Sequence, residues 1–101
     1  MRDTAACTTK VKNIYVGRGR VTWYIALALN YLYGGCDKVK LLAGGRRISK
    51  ALVIGKLLEK RLGLRIEDIK ITYTENELIK DGRSKILYFP GVEVLISVEE
   101  T

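Results

Sequence analysis

Twice in its first half the chain runs from a short apolar stretch, through a corner of glycine and arginine, into a segment with helical spacing. Residues 11–16 lead into Gly17-Arg18-Gly19-Arg20, after which Val21, Ile25, Ala28, Leu29 and Leu32 recur on one helix face until Gly34-Gly35. Residues 38–42 lead into Ala43-Gly44-Gly45-Arg46-Arg47, after which Ala51, Ile54, Leu58 and Leu62 form a second stripe ended by Gly63. Two successive strand–corner–helix units restrict the chain to layouts in which the first two strands run parallel. Both corners then open at the same end of the sheet.

The second half reads as strands. Residues 67–77 alternate Ile69, Ile71 and Tyr73 with polar neighbours, and residues 92–98 form a last strand opened by Pro90-Gly91. Residues 78–89 read as a long connection built on the turn pair Asp81-Gly82. The predicted order is βαβαββ: an α/β, two-layer domain with a four-stranded mixed sheet and two helices. Residues 1–10 read as a flexible tail and 11–101 as one domain, since 101 residues support a single modest core. There is no apolar run long enough to span a membrane and no secretion signal, so the default location is cytoplasmic.

Charge locates the function. Residues 1–50 hold ten Lys and Arg against Asp3 and Asp37, whereas residues 51–101 hold eight against nine acids. One half is thus strongly basic and the other neutral, the pattern of a face aimed at a polyanion. If the corners share an edge, Arg18, Arg20, Arg46, Arg47 and Lys50 converge there beside Gly44 and Gly45. A helix N-terminus offers unpaired N–H donors and partial positive charge, which favours anions and disfavours these cations. The arrangement suits phosphate oxygens. Lys80, Arg83 and Lys85 add charge around the hairpin tip, where a basic arm can reach a nucleic-acid groove. Trp23 and Tyr24 adjoin the first corner as candidates for base stacking, with packing the favoured role for Tyr24.

Other chemistries find little support. Without histidine the commonest general base is absent, and the two cysteines, Cys7 and Cys36, are too few for a metal site. They read as reduced thiols, or as a bridge if the source is hyperthermophilic, toward which scarce Met and abundant Lys, Arg, Ile and Leu lean. Neither corner has a nucleotide-loop fingerprint, and no cofactor is implied. On the second helix Leu52, Val53 and Leu57 lie outside the core stripe, which suggests a dimer surface.

Residues Ile14-Tyr15-Val16-Gly17-Arg18, followed by an apolar helix and then by Gly45-Arg46-Arg47-Ile48-Ser49-Lys50-Ala51, resemble the Alba family of archaeal chromatin proteins. The similarity runs from about residue 11 to the C-terminus. It implies a domain like the C-terminal domain of a bacterial translation initiation factor. It also implies a homodimer that binds double-stranded DNA, and often RNA, largely without sequence preference. Where the family has a lysine pair after the first strand, this chain has Arg18 and Gly19. Where many members have Arg-Gly-Arg, it has Gly44-Gly45-Arg46, with Arg20 and Arg47 as nearby substitutes. Arg18 also replaces the acetylatable lysine of the first loop, and Leu62 stands where an aromatic residue helps some members associate dimer to dimer. The resemblance is that of a divergent paralogue.

The sequence therefore leads us to expect a non-enzymatic, chromosome-associated homodimer that condenses DNA by phosphate contacts. The alternatives are an RNA-binding subunit of ribonuclease P type and a scaffold for an acidic protein.

Overall fold

A computed structural model of the chain describes residues 10–98. The elements are β1 (Val11–Tyr15), α1 (Val21–Tyr33), β2 (Lys38–Gly44), a 3-10 turn (Gly45–Arg47), α2 (Ile48–Leu62), β3 (Leu64–Lys80) and β4 (Arg83–Val98). They form one four-stranded sheet in the order β1-β2-β4-β3. β1 and β2 are parallel, while β4 is antiparallel to both β2 and β3. This is the expected βαβαββ arrangement.

Alternation within each strand decides where the core sits. Ile14 and Val16, Val39 and Leu41, and Val92, Val94 and Ile96 are buried on one face of the sheet. The helices contribute Tyr24, Ala28 and Leu32 from α1, and Ala51, Ile54 and Leu58 from α2. The buried line on α1 therefore runs through Tyr24, with Val21, Ile25 and Leu29 packed only partly at its flank. Leu62, placed by its spacing on the α2 core stripe, is 42% exposed. The chain reverses at Gly63, and Leu64 fills that end of the core instead. The opposite sheet face carries ion pairs, Lys38–Glu67 at 3.0 Å and Lys40–Glu93 at 3.6 Å.

The largest departure from expectation concerns residues 78–89. They are not a long connection: β3 and β4 stay paired as far as Lys80↔Arg83, leaving only Asp81 and Gly82 as the turn. Both turn residues have positive φ, 55° and 73°, as a tight hairpin turn with the twist of its strands requires. Beyond Gly91, which pairs with the last residue of β2, no other strand among the described residues lies beside the ribbon. It continues for eight further residues of β4, about 27 Å at ordinary strand rise. The radius of gyration is accordingly 16.0 Å, against about 13 Å for a compact chain of this length.

Cys36, in the turn between α1 and β2, is buried and disulfide-bonded, the bridged one of the two readings that the sequence left open. Cys7 and most of the expected tail lie outside the described residues. No helix among the described residues is long and apolar enough to cross a membrane.

Candidate nucleic-acid interface

Parallel pairing of β1 and β2 brings their C-terminal ends level, with Tyr15 opposite Leu42 and the Val16 N–H donating to the Leu42 carbonyl at 2.8 Å. Gly17-Arg18-Gly19-Arg20 and Gly44-Gly45-Arg46-Arg47 therefore leave the sheet side by side. Two side chains fix the first corner, and one of them ties it to the second. The Tyr24 hydroxyl, beneath the first corner, accepts hydrogen bonds from the N–H of Gly17 at 2.7 Å and of Gly19 at 3.1 Å. Lys50, in the first turn of α2, donates to the Gly17 carbonyl at 2.7 Å and lies 5.6 Å from the centre of the Tyr24 ring. Lys50 thus spans the corners. Its place in the cation cluster is as expected, but its ammonium already has a partner within the chain.

The arginines are placed differently. Arg18, Arg20 and Arg46 are exposed and Arg47 half-buried. None of the four has a carboxylate partner among the described residues. Neither α1 nor α2 has an acidic residue in its first turn or a side-chain cap. Arg20 and Arg47 occupy the N-cap positions themselves. Cations are thus set at the positive ends of two helix dipoles with no ion-paired carboxylate among the described residues to offset them. Of the glycine pair in the second corner, only Gly45 takes a positive φ, 57°; Gly44 is extended as the last residue of β2.

The hairpin arm leaves from this same end of the sheet, because its free portion begins where β2 stops. Lys80 faces Arg83 and Leu78 faces Lys85 across the ladder, which puts Lys80, Arg83 and Lys85 on one face of the ribbon. Glu75 and Glu77 fall on the other face by strand alternation, and Glu77 accepts a hydrogen bond from Ser84 at 2.8 Å. The three basic features that the sequence suggested, two corners and a hairpin tip, therefore open toward one end of the molecule.

A model of the Alba family matches residues 12–73, more than half of the chain. The chain belongs to the Alba family. Among solved structures, it is similar to Alba from Thermoplasma volcanium, with a TM-score of 0.67 and 19% identity, over 85% of this chain and 99% of that one. It is also similar to ALBA1 from Trypanosoma brucei, with a TM-score of 0.72 and 15% identity, over 97% of this chain and 74% of that one. At these identities the likeness is one of fold. Alba proteins are generally nucleic-acid-binding and not enzymes. Among the described residues no group of His, Cys, Asp and Glu could hold a metal ion.

Within that family pattern, Gly19 has a local reason. A Cβ at this position would lie 3.1 Å from the Tyr24 hydroxyl and 3.2 Å from its ring carbons, tighter than most real contacts. A lysine there would make the buried tyrosine or the corner above it give way by a few tenths of an ångström. On α2, Leu52 and Val53 are exposed and Leu57 is half-buried. Leu52, Val53 and Lys56 line one apolar groove with Ile66, Ile69 and Val94 of the sheet. Sequence reasoning placed the cations but not Tyr24 as their organiser; the closest signal was its position eight residues before the core residue Leu32.

Proposed function

We propose that this Alba protein binds double-stranded DNA, and RNA as well, without sequence preference, as a chromosome-associated architectural protein of the cytoplasm. Phosphate contacts come from Arg18, Arg20, Arg46 and Arg47, from the N–H groups around Gly44 and Gly45, and from Lys80, Arg83 and Lys85 on the arm. Lys50 acts mainly by holding the corners together, with its charge adding to the field. The observation that carries this reading is the set of unpaired arginines at two uncapped helix N-termini beside a basic arm. Such contacts fix a protein on a backbone but read no bases.

The apolar groove between α2 and β3 supports a homodimer, because exposed Leu52, Val53 and Ile69 meet there at one surface. Dimerisation doubles the number of corners and arms. With about six phosphates engaged per dimer, log K falls against log salt with a slope of roughly −5. Replacing Arg46 and Arg47 by alanine should flatten that slope and weaken binding equally across unrelated sequences. Gel-shift titrations over salt, with duplex DNA and structured RNA in competition, measure both. Unchanged affinity and slope would remove the second corner from the site, and failure to bind either nucleic acid would favour an acidic protein as the partner.

A further inference from the structure

Trp23 is the single tryptophan of the chain, and 57% of its surface is exposed on the first turn of α1. The core does not need it there: the buried line of α1 passes through its neighbour Tyr24, against which the indole rests at 5.0 Å between ring centres and 85° between planes. Trp23 lines a shallow groove with Gly19, Arg20, Thr22 and Tyr24. Arg20, in the same groove, has no carboxylate partner among the described residues. An open aromatic surface and an unpaired guanidinium thus stand side by side at the edge of the basic corner.

Resting on the nucleic-acid reading above, we infer that this groove stacks an unpaired nucleobase on the Trp23 indole, while Arg20 and Arg18 take the adjoining phosphates. The occupant is single-stranded nucleic acid. In a duplex both faces of every internal base are covered by neighbours, so away from its ends a duplex can satisfy the arginines but not the indole. An unpaired strand satisfies both, with a π-face from any base and a charge at every step. The arginines also select this occupant over a purely apolar one, since an apolar surface would leave Arg18 and Arg20 uncompensated. The protein then has two modes at one edge: phosphate contacts common to all nucleic acids, and a stacking contact reserved for unpaired bases.

Because Trp23 is the only tryptophan, its fluorescence reports on this groove alone. The full chain is titrated at fixed salt with a 15-nucleotide oligo(U), a 15-nucleotide oligo(dT) and a 15-base-pair duplex, following indole emission and the anisotropy of labelled strands. The single strands should quench the emission, whereas the duplex should bind without comparable quenching. Trp23→Ala should lose about 5- to 150-fold in affinity for the single strands, the range typical of base–aromatic stacking. Its duplex affinity should change less than two-fold. Trp23→Phe should keep most of the single-strand affinity, and thermal melts check that both variants fold. Quenching by oligo(U) alone would narrow the occupant to RNA, and quenching by both would extend it to any unpaired strand. If the duplex binds but Trp23→Ala leaves single-strand affinity unchanged, or weakens both forms equally, the stacking site is refuted and the phosphate reading stands. If the wild-type chain binds no duplex, the phosphate reading itself fails.

Discussion

Replacing Tyr24 by phenylalanine isolates the link between core and interface. The ring stays, so the packing against Ala28 and the sheet is kept. What goes is one hydroxyl oxygen that accepts two backbone N–H groups, those of Gly17 and Gly19. A buried donor left unpaired costs about 1–3 kcal/mol. Gly17 and Gly19 are half-buried, so water reaches them in part and the low end applies to each. The total is about 1–2 kcal/mol. For a domain near 100 residues each kcal/mol lowers the melting temperature by roughly 4–8 °C, so Tyr24→Phe should melt about 5–15 °C below wild type. Circular dichroism melts at matched protein concentration measure this, since any dimer would make the midpoint concentration-dependent. Amide exchange should quicken at Gly17 and Gly19 before it does in α2. Duplex affinity should fall by a few-fold with the salt slope unchanged, because every cation remains and only its positioning is lost. A melting temperature within 1 °C of wild type, with both amides still protected, would refute the claim that this hydroxyl holds the corner.

Two further outcomes follow from the rest of the molecule. Leu52→Glu, at the groove between α2 and β3, should convert a dimer to monomers in sedimentation velocity while leaving the monomer folded, because Leu52 is exposed in the single chain; a wild-type protein that is monomeric at high concentration would remove the premise. Hydrogen bonds from Ser97, then from Lys38, hold the Glu67 carboxyl below the ordinary glutamate value of 4.5. A lowered carboxylate pKa contributes stability above its unfolded value and loses it as pH falls through the folded one. Glu67→Gln should therefore flatten the acid side of a melting-temperature profile below about pH 4.5 and leave the neutral side nearly level; an unchanged acid limb would dismiss the contribution.

The body of the fold was legible because periodicity and punctuation agreed. On α2, Ala51, Ile54 and Leu58 lie at helical spacing and are all fully buried, and Gly63 ends the helix where expected. Residues 78–89 were harder because, among the described residues, they pair only within their own ribbon. Ile79, Ile86 and Tyr88 are each more than half exposed, so burial does not impose on the arm the clean alternation seen at Val92, Val94 and Ile96. Cross-strand pairing alone holds it, and pairing leaves little trace in a single sequence. The cations of the site could be read from composition and corner position. Their meeting at one edge could be read as well, from the parallel strands that two successive βα units require, whereas the Tyr24 and Lys50 contacts that fix the corners could not, because they are made across 5 to 33 residues of sequence.

Those contacts also make sense of the departures from the usual Alba loops. With Tyr24 filling the space beneath the first corner, a side chain at position 19 would make the tyrosine ring give way by a few tenths of an ångström, which favours glycine there. The next position, Arg20, is free of that constraint: it is exposed and stands at the N-cap position of α1 without a side-chain cap hydrogen bond. The same shift recurs at the second corner, where Gly44 stands in place of an arginine and the charge moves on to Arg47, just before α2. In both places one charge has moved toward the helix. The number of cations offered to a phosphate backbone is preserved, but they sit closer to the helix N-termini. Tyr24 and Arg20 therefore serve one corner: the tyrosine fixes it from below through Gly17 and Gly19, and the arginine stands exposed at its rim.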